Sequence, residues 1–222
     1  MIIEKGHISG DGSFTLKCQE LISNVIQSPK VLLTTSCTHA LEMSAMLLDI
    51  SHGDEIIVPS FTFVTSANSF VVNGAKPIFV DIRPDTLNID ESMIESKINK
   101  KTKAIVIVHY AGVACELDSI LYLGEKYSIP IIEDNALGLF GKYKNKYLGT
   151  FGTFATQSFH ETKSYSCGEG GALIVNDSNY FSRAEIIREK GTNRKQYLDG
   201  TVDKYTWVDY GSSYLPSDLN AA

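Results

Sequence analysis

Several familiar signatures are missing from this 222-residue chain. Four cysteines, Cys18, Cys37, Cys115 and Cys167, are scattered with no Cys-x-x-Cys pair, so neither a zinc site nor a disulfide framework is indicated. There is no Gly-x-Gly-x-x-Gly and no Gly-x-x-x-x-Gly-Lys-Ser/Thr, which sets aside the dinucleotide and P-loop fingerprints. No apolar run approaches the roughly 20 residues that span a bilayer. The opening MIIEKGHISGDG lacks the charged-then-apolar order of a secretory signal, so a cytoplasmic location is expected. Positive charge is in short supply as well. Lysine and arginine number 20 against 26 acidic residues, and a net charge of −6 argues against general nucleic-acid binding. No internal repeat, low-complexity tract or linker breaks the chain.

What is present fits a soluble globular protein: 43% hydrophobic and 21% charged residues, enough for one large domain or one domain and the start of another. Apolar β-branched runs alternate with helical patterns. KVLLTT (30–35), EIIVPS, KPIFVDI, KAIVIVHY, PIIED, FATQSFH and GGALIVND read as strands. Between or after them, CTHALEMSAMLLDI (37–50), SANSFVVNG closed by Gly74, ESMIESKIN capped by Asp90, SILYLGEKY opened by Asp118, and NYFSRAEIIREKG read as helices. Strands this uniformly apolar, separated by helices, predict an α/β protein: a mostly parallel sheet covered on both faces, in three α/β/α layers. Ligands of such sheets gather at the C-terminal strand ends.

The suggestive residues all fall at those ends. Ser36-Cys37-Thr38 follows the first strand and Ser60-Phe61-Thr62-Phe63 the second, while His109-Tyr110, Glu133-Asp134 and Ser158 to Lys163 follow later ones. Each has a plain structural reading and a functional one. Ser36 opens a strand-to-helix turn whose free N–H groups suit an anion, and equally it is a helix cap. Asp134 ends a buried strand, where an acid needs a cation or donor, or else caps the segment that begins at Asn135. Phe63 is core or an aromatic plate. Lys163, in SFHETKSYSCGEGGALIV (158–175), is a loop lysine or, in a partly apolar pocket, a nucleophile toward aldehydes. An anion cradle, an aromatic plate, a carboxylate and an amine on one sheet edge together match pyridoxal phosphate.

The order of TTSCTHALEMSAMLLDI, GDEIIVPSFTFVTSANSFVVNGAKPIFVDI, IIEDNALG, GTFATQSFHETKSYSCGEGGALIV and IIREKGTNR resembles the sugar-nucleotide aminotransferases of pyridoxal-phosphate fold type I, the DegT/DnrJ/EryC1/StrS family. Within it the chain is most similar to the dTDP-4-amino-4,6-dideoxygalactose transaminases, from about Gly10 to the last residue. The resemblance implies that Lys163 condenses with the cofactor aldehyde and afterwards shuttles the substrate proton. It implies that Asp134 pairs with the pyridinium nitrogen, that Phe63 stacks on the ring, and that Cys37, Thr38 and Ser158 hold the phosphate. It also implies L-glutamate as amino donor, a dTDP-4-keto-6-deoxyhexose as acceptor, a homodimer with its site between subunits, and a role in cell-surface polysaccharide assembly.

Three departures stand out. Leu137 occupies the position where the family carries a glutamine for the cofactor's phenolic oxygen, with Asn135 as a candidate substitute. Leu215 occupies a position from which many relatives supply an asparagine or arginine to the neighbouring subunit. The closing SYLPSDLNAA reads as the start of a helix capped by Ser217 or Asp218, which leads to the expectation that residues 1–222 are the cofactor domain of a longer protein with a smaller C-terminal domain. His109, His160 and Arg194 are further candidates for sugar, phosphate or carboxylate contact. A histidine at the lysine position would instead indicate the family's dehydratases, and Lys163 speaks against that. A catalytically degenerate cofactor domain, acting as a binding or dimerisation module, is the competing expectation.

Overall fold

The computed structural model describes residues 6–222; the first five, which open the N-terminal segment tested for a secretory signal, lie outside the described residues. Seven strands form one sheet: β1 (Val31–Thr34), β2 (Glu55–Pro59), β3 (Lys76–Val80), β4 (Thr102–Val108), β5 (Ile131–Asp134), β8 (Phe154–Ser158) and β9 (Gly171–Val175). Their order is β1-β9-β8-β5-β4-β2-β3, and β6 (Lys142–Tyr143) with β7 (Lys146–Tyr147) makes a separate small hairpin. From β3 through β8 the pairings are parallel, whereas β9 runs antiparallel to both β8 and β1. Only β9 is therefore reversed. The β8–β9 connection returns at the same sheet edge at which β8 ends, and Lys163 sits on that connection.

Successive side chains of the central strands are buried on alternate faces of the sheet. Leu32, Ile56, Val58, Ala104, Val106 and Leu173 join one cluster with α2 (Cys37–Leu47) and α6 (Phe181–Arg188). The residues between them, Ile57, Ile105 and Ile107, join the opposite cluster with Leu117, Ile120 and Leu123 of α5 (Leu117–Tyr127). Val31, Leu33 and Ile174 pack beneath Ile22 and Ile26 of α1 (Ser13–Ile26). This is the expected three-layer α/β/α arrangement, with α3 (Thr65–Val71) packed on α2.

Boundaries shift where capping differs from the sequence reading. Asp90 does cap α4 (Glu91–Ile94), accepting from the Ser92 N–H at 3.0 Å, but the helix tightens into a 3₁₀ turn over Glu95–Lys97. The helix expected to open at Asp118 starts at Leu117, and Asp118 instead binds the Lys144 ammonium at 2.6 Å. Ser217 caps the short α8 (Asp218–Ala221), as the sequence indicates. Asp218 is engaged elsewhere, accepting from the N–H groups of Phe14 (3.2 Å) and Thr15 (2.7 Å) and from the Thr15 hydroxyl (2.8 Å). It thereby caps α1, whose own N-cap is Gly12 and supplies no side chain. Helix α1, the β6–β7 hairpin and α7 (Arg194–Leu198) were not legible as periodic segments.

Candidate active site

Along the C-terminal edge of the parallel strands lies a cavity of about 570 Å³. Its walls include Cys37 and Thr38 from the start of α2, Phe63 from the loop after β2, Asp134 from the end of β5, and Ser158 and Lys163 from β8 and its loop. The six residues singled out in the sequence thus meet around one space, delivered by separate strand ends.

Asp134 forms the floor. Its side chain faces α3, where the Ser66 hydroxyl donates to Oδ2 at 2.6 Å, and the Ala136 N–H donates to Oδ1 at 3.2 Å. Burial raises its carboxyl above the ordinary carboxylate range, and the Ser66 and Ala136 donors, then the Lys163 charge, only partly offset this. The acid is both a local cap and a member of the site, so the two sequence readings are compatible. Ser66 carried no signal in the sequence, being a serine inside a helix. Thr62 holds it in turn, hydroxyl to hydroxyl at 2.8 Å.

One residue earlier, on the other face, Glu133 is wholly buried. It accepts from His109 Nε2 at 2.9 Å and from the N–H groups of Gly149, Phe151 and Gly152, each at 2.7 Å. Burial opposes its ionisation, yet the hydrogen bond from His109 and the backbone donors hold its carboxyl below the usual range. The Cys115 N–H donates to His109 Nδ1 at 3.3 Å, which leaves the ring proton on Nε2, toward Glu133. His109 is 1% exposed and lies outside the cavity walls, so its expected place beside a sugar is corrected: it is a partner of a buried acid.

The anion turn is built by capping and close approach. Ser36 is the N-cap of α2, its hydroxyl accepting from the His39 N–H at 3.1 Å. The Cys37 and Thr38 N–H groups take no partner among the described residues. Gly171 opens β9 directly behind this turn, and a Cβ there would overlap the Ser36 carbonyl and the Cys37 nitrogen. Only glycine lets the lysine hairpin dock so closely. The Cys37 thiol donates to Thr156 Oγ1 at 3.3 Å, and burial beside Asp134 pushes its pKa upward.

Phe63 is 70% exposed, so the plain core reading fails for it; it borders open space. Phe61 and Tyr110, 4.9 Å apart between ring centroids, line the same wall. Lys163 is half-buried and forms no salt bridge among the described residues. Its backbone N–H donates to the His160 carbonyl at 2.9 Å, so the two side chains ride on one turn, and His160 also lines the cavity.

Other candidates lie elsewhere. Arg194 begins α7 and does not reach the cavity walls. Leu137 does line the cavity, 39% exposed. Asn135 cannot stand in for the missing glutamine, because its buried amide lies against Gly138 and Gly149, away from the cavity, with no partner among the described residues. Leu215 packs against Gly10.

Comparison with known proteins identifies the family. The DegT/DnrJ/EryC1/StrS aminotransferase family model matches residues 1–222. The chain belongs to this family. A protein of Methanocaldococcus jannaschii, MJ1066, is 38% identical over 214 residues, which cover 95% of this chain and 55% of that protein. Among solved structures, Helicobacter pylori PseC, an aminotransferase involved in the biosynthesis of pseudoaminic acid, superposes with a TM-score of 0.89 at 28% identity, covering 99% of this chain and 58% of that one. An aminotransferase from Psychrobacter cryohalolentis gives 0.91 at 29% identity, with 99% and 57% covered. Bacillus subtilis NtdA with PMP bound as cofactor gives 0.88 at 26% identity, with 99% and 48% covered. The chain thus spans about half the length of the relatives it matches. Among the described residues, no helix is long and apolar enough to cross a membrane and no cluster of metal ligands occurs.

Proposed function

We propose that this chain carries the cofactor site of a pyridoxal-phosphate-dependent sugar-nucleotide aminotransferase. In this reading it moves an amino group from L-glutamate to C4 of a dTDP-4-keto-6-deoxyhexose, works as a homodimer in the cytoplasm, and feeds cell-surface polysaccharide assembly. The observation that carries the reading is the convergence of Lys163 and Asp134 on one cavity that opens over two unpaired helix-start amides.

The donor set fits the cofactor. The Cys37 and Thr38 N–H groups and the Ser158 hydroxyl suit a phosphate at the start of α2, where the helix dipole favours an anion. Asp134, tied by Ser66 and Ala136, would hold a proton on the pyridine nitrogen. Its carboxyl would take from a ring cation the counter-charge that Ser66, Ala136 and Lys163 supply only in part. Phe63 would cover the ring face. Lys163, which forms no salt bridge among the described residues, would supply the amine for the aldehyde and would carry a proton to and from the substrate carbon that bears nitrogen. When bound, the cofactor supplies an electron sink for the negative charge that develops at that carbon.

The test is spectroscopic. Pyridoxal phosphate added to the purified protein should give the absorbance of the lysine adduct, and L-glutamate should convert it to the amine form. Lys163→Ala should abolish the first band. A band that persists in Lys163→Ala refutes the lysine assignment; a wild-type band that glutamate leaves unchanged refutes the transaminase reading in favour of a binding module.

A further inference from the structure

The lysine hairpin carries a second feature that the cofactor chemistry does not use. The β8–β9 ladder continues past both strands: the Phe159 N–H donates to the Gly170 carbonyl and the Glu161 N–H to that of Gly168, each at 2.8 Å. This extension sets His160 and Glu169 beside each other, both on the cavity wall. The Thr162 N–H donates to His160 Nδ1 at 3.3 Å, and the Thr162 hydroxyl lies 2.9 Å from the same nitrogen. With Nδ1 occupied as an acceptor, the ring proton sits on Nε2. That nitrogen is 3.5 Å from Glu169 Oε1, longer than a good hydrogen bond, so the N–H and the carboxylate each keep spare capacity. Both side chains are open to the cavity and solvent, at 39% and 74% exposure.

We infer that His160 and Glu169 form a hydroxyl-reading pair that selects the sugar substrate. A donor and an acceptor side by side on a fixed ladder are satisfied together by a group that accepts once and donates once. A hydroxyl does both. A carboxylate would satisfy only His160 and be repelled by Glu169; an ammonium would satisfy only Glu169. The pair therefore favours a hydroxylated acceptor, on the turn that also carries Lys163. Glu169 is the specificity residue, and His160 both contacts the hydroxyl and orients toward Glu169. The inference rests on the sugar-aminotransferase reading.

The test uses the purified protein loaded with pyridoxal phosphate, with dTDP-4-keto-6-deoxyglucose and its 2-deoxy and 3-deoxy analogues as probes. Glu169→Ala and His160→Gln are each expected to raise KM for the hydroxylated sugar roughly 10- to 100-fold, the loss typical of a hydrogen bond to a charged group. Their effect on the glutamate half-reaction, read by absorbance without sugar, should be at least tenfold smaller. Calorimetric binding of the sugar to cofactor-free protein should weaken in parallel, and Glu169→Gln, which keeps an acceptor oxygen, should recover part of the loss. One deoxy analogue should bind wild type and Glu169→Ala equally. If the variants slow the glutamate half-reaction as much as the sugar step, the pair merely supports the lysine turn and the inference fails. If wild type aminates the sugar and Glu169→Ala matches it, the inference fails while the function stands. If wild type converts with glutamate but aminates none of the sugars, the functional reading fails first.

Discussion

Replacing Glu133 by glutamine tests how this sheet edge is held. The carboxylate has no exposure and accepts four hydrogen bonds, two at each oxygen: His109 and Gly149 at Oε2, Phe151 and Gly152 at Oε1. Glutamine keeps the shape but turns one oxygen into a donor. Rotated one way, its NH₂ confronts the Phe151 and Gly152 N–H groups; rotated the other, it confronts Gly149 and His109. Either way two buried donors lose their acceptor, at about 1–3 kcal/mol each. Together that is about 2–6 kcal/mol, with no ion-pair loss to add, because a His109 ring that accepts at Nδ1 is neutral. Against a total stability of about 5–15 kcal/mol this is a large fraction. At about 2–4 °C per kcal/mol for a domain of this size, Tm should fall by roughly 4–24 °C, as followed by circular dichroism. The pH dependence has a definite sign. Because Glu133 is held below its ordinary range, its contribution is present above the unfolded carboxyl pKa and lost as pH falls through the folded one. The gap between wild type and Glu133→Gln should therefore close on acidification. A Tm drop under about 3 °C at neutral pH, or a gap that widens in acid, would refute the reasoning.

Asp134→Asn should act oppositely in the cofactor-free protein. Its carboxyl is raised by burial, so wild-type stability is fullest below the unfolded carboxyl pKa and declines as pH rises through the folded one. The variant should melt higher than wild type at neutral pH, converge with it in acid, and lose the proposed transamination; a lower neutral Tm would count against the burial argument. Gly171→Ala should disturb the anion turn, since the new methyl overlaps the Ser36 and Cys37 backbone. Overpacking of this kind costs about 1–3 kcal/mol, and pyridoxal phosphate affinity measured by titration should fall at least tenfold; unchanged affinity would place the anion elsewhere.

The layered sheet was legible because parallel strands buried on both faces are apolar without alternation, and each helix behind them carried its own period. The motif residues were legible because strand ends collect ligands, which brings Asp134, Ser158 and Lys163 to one edge on topology alone. What stayed hidden depends on residues far apart in the chain. Ser66 lies 68 positions from the carboxylate it binds, and Asp218 lies 203 from the helix start it caps. His109 looked like a site residue for a good reason, since it follows a strand at the right edge. Its ring is drawn instead to Glu133, whose burial nothing in a one-dimensional pattern distinguishes from that of Asp134.

That last pair explains how the edge can be rigid and reactive at once. Successive residues of a strand face opposite sides, so two adjacent carboxylates at the end of β5 enter different surroundings. Glu133 receives four donors and is fixed as an anion, tying β4, β5 and the 149–152 turn together. Asp134 receives the Ser66 hydroxyl and the Ala136 N–H, with the Cys37 thiol only at 4.0 Å, and burial leaves it short of countercharge. A carboxylate already saturated by the protein would gain little from a cationic ring, whereas an under-compensated one gains most when such a ring arrives. Glu133 is saturated by the protein's own donors, and Asp134 is not. The division of labour follows from one step of strand periodicity and from which loops happen to present their N–H groups on each side.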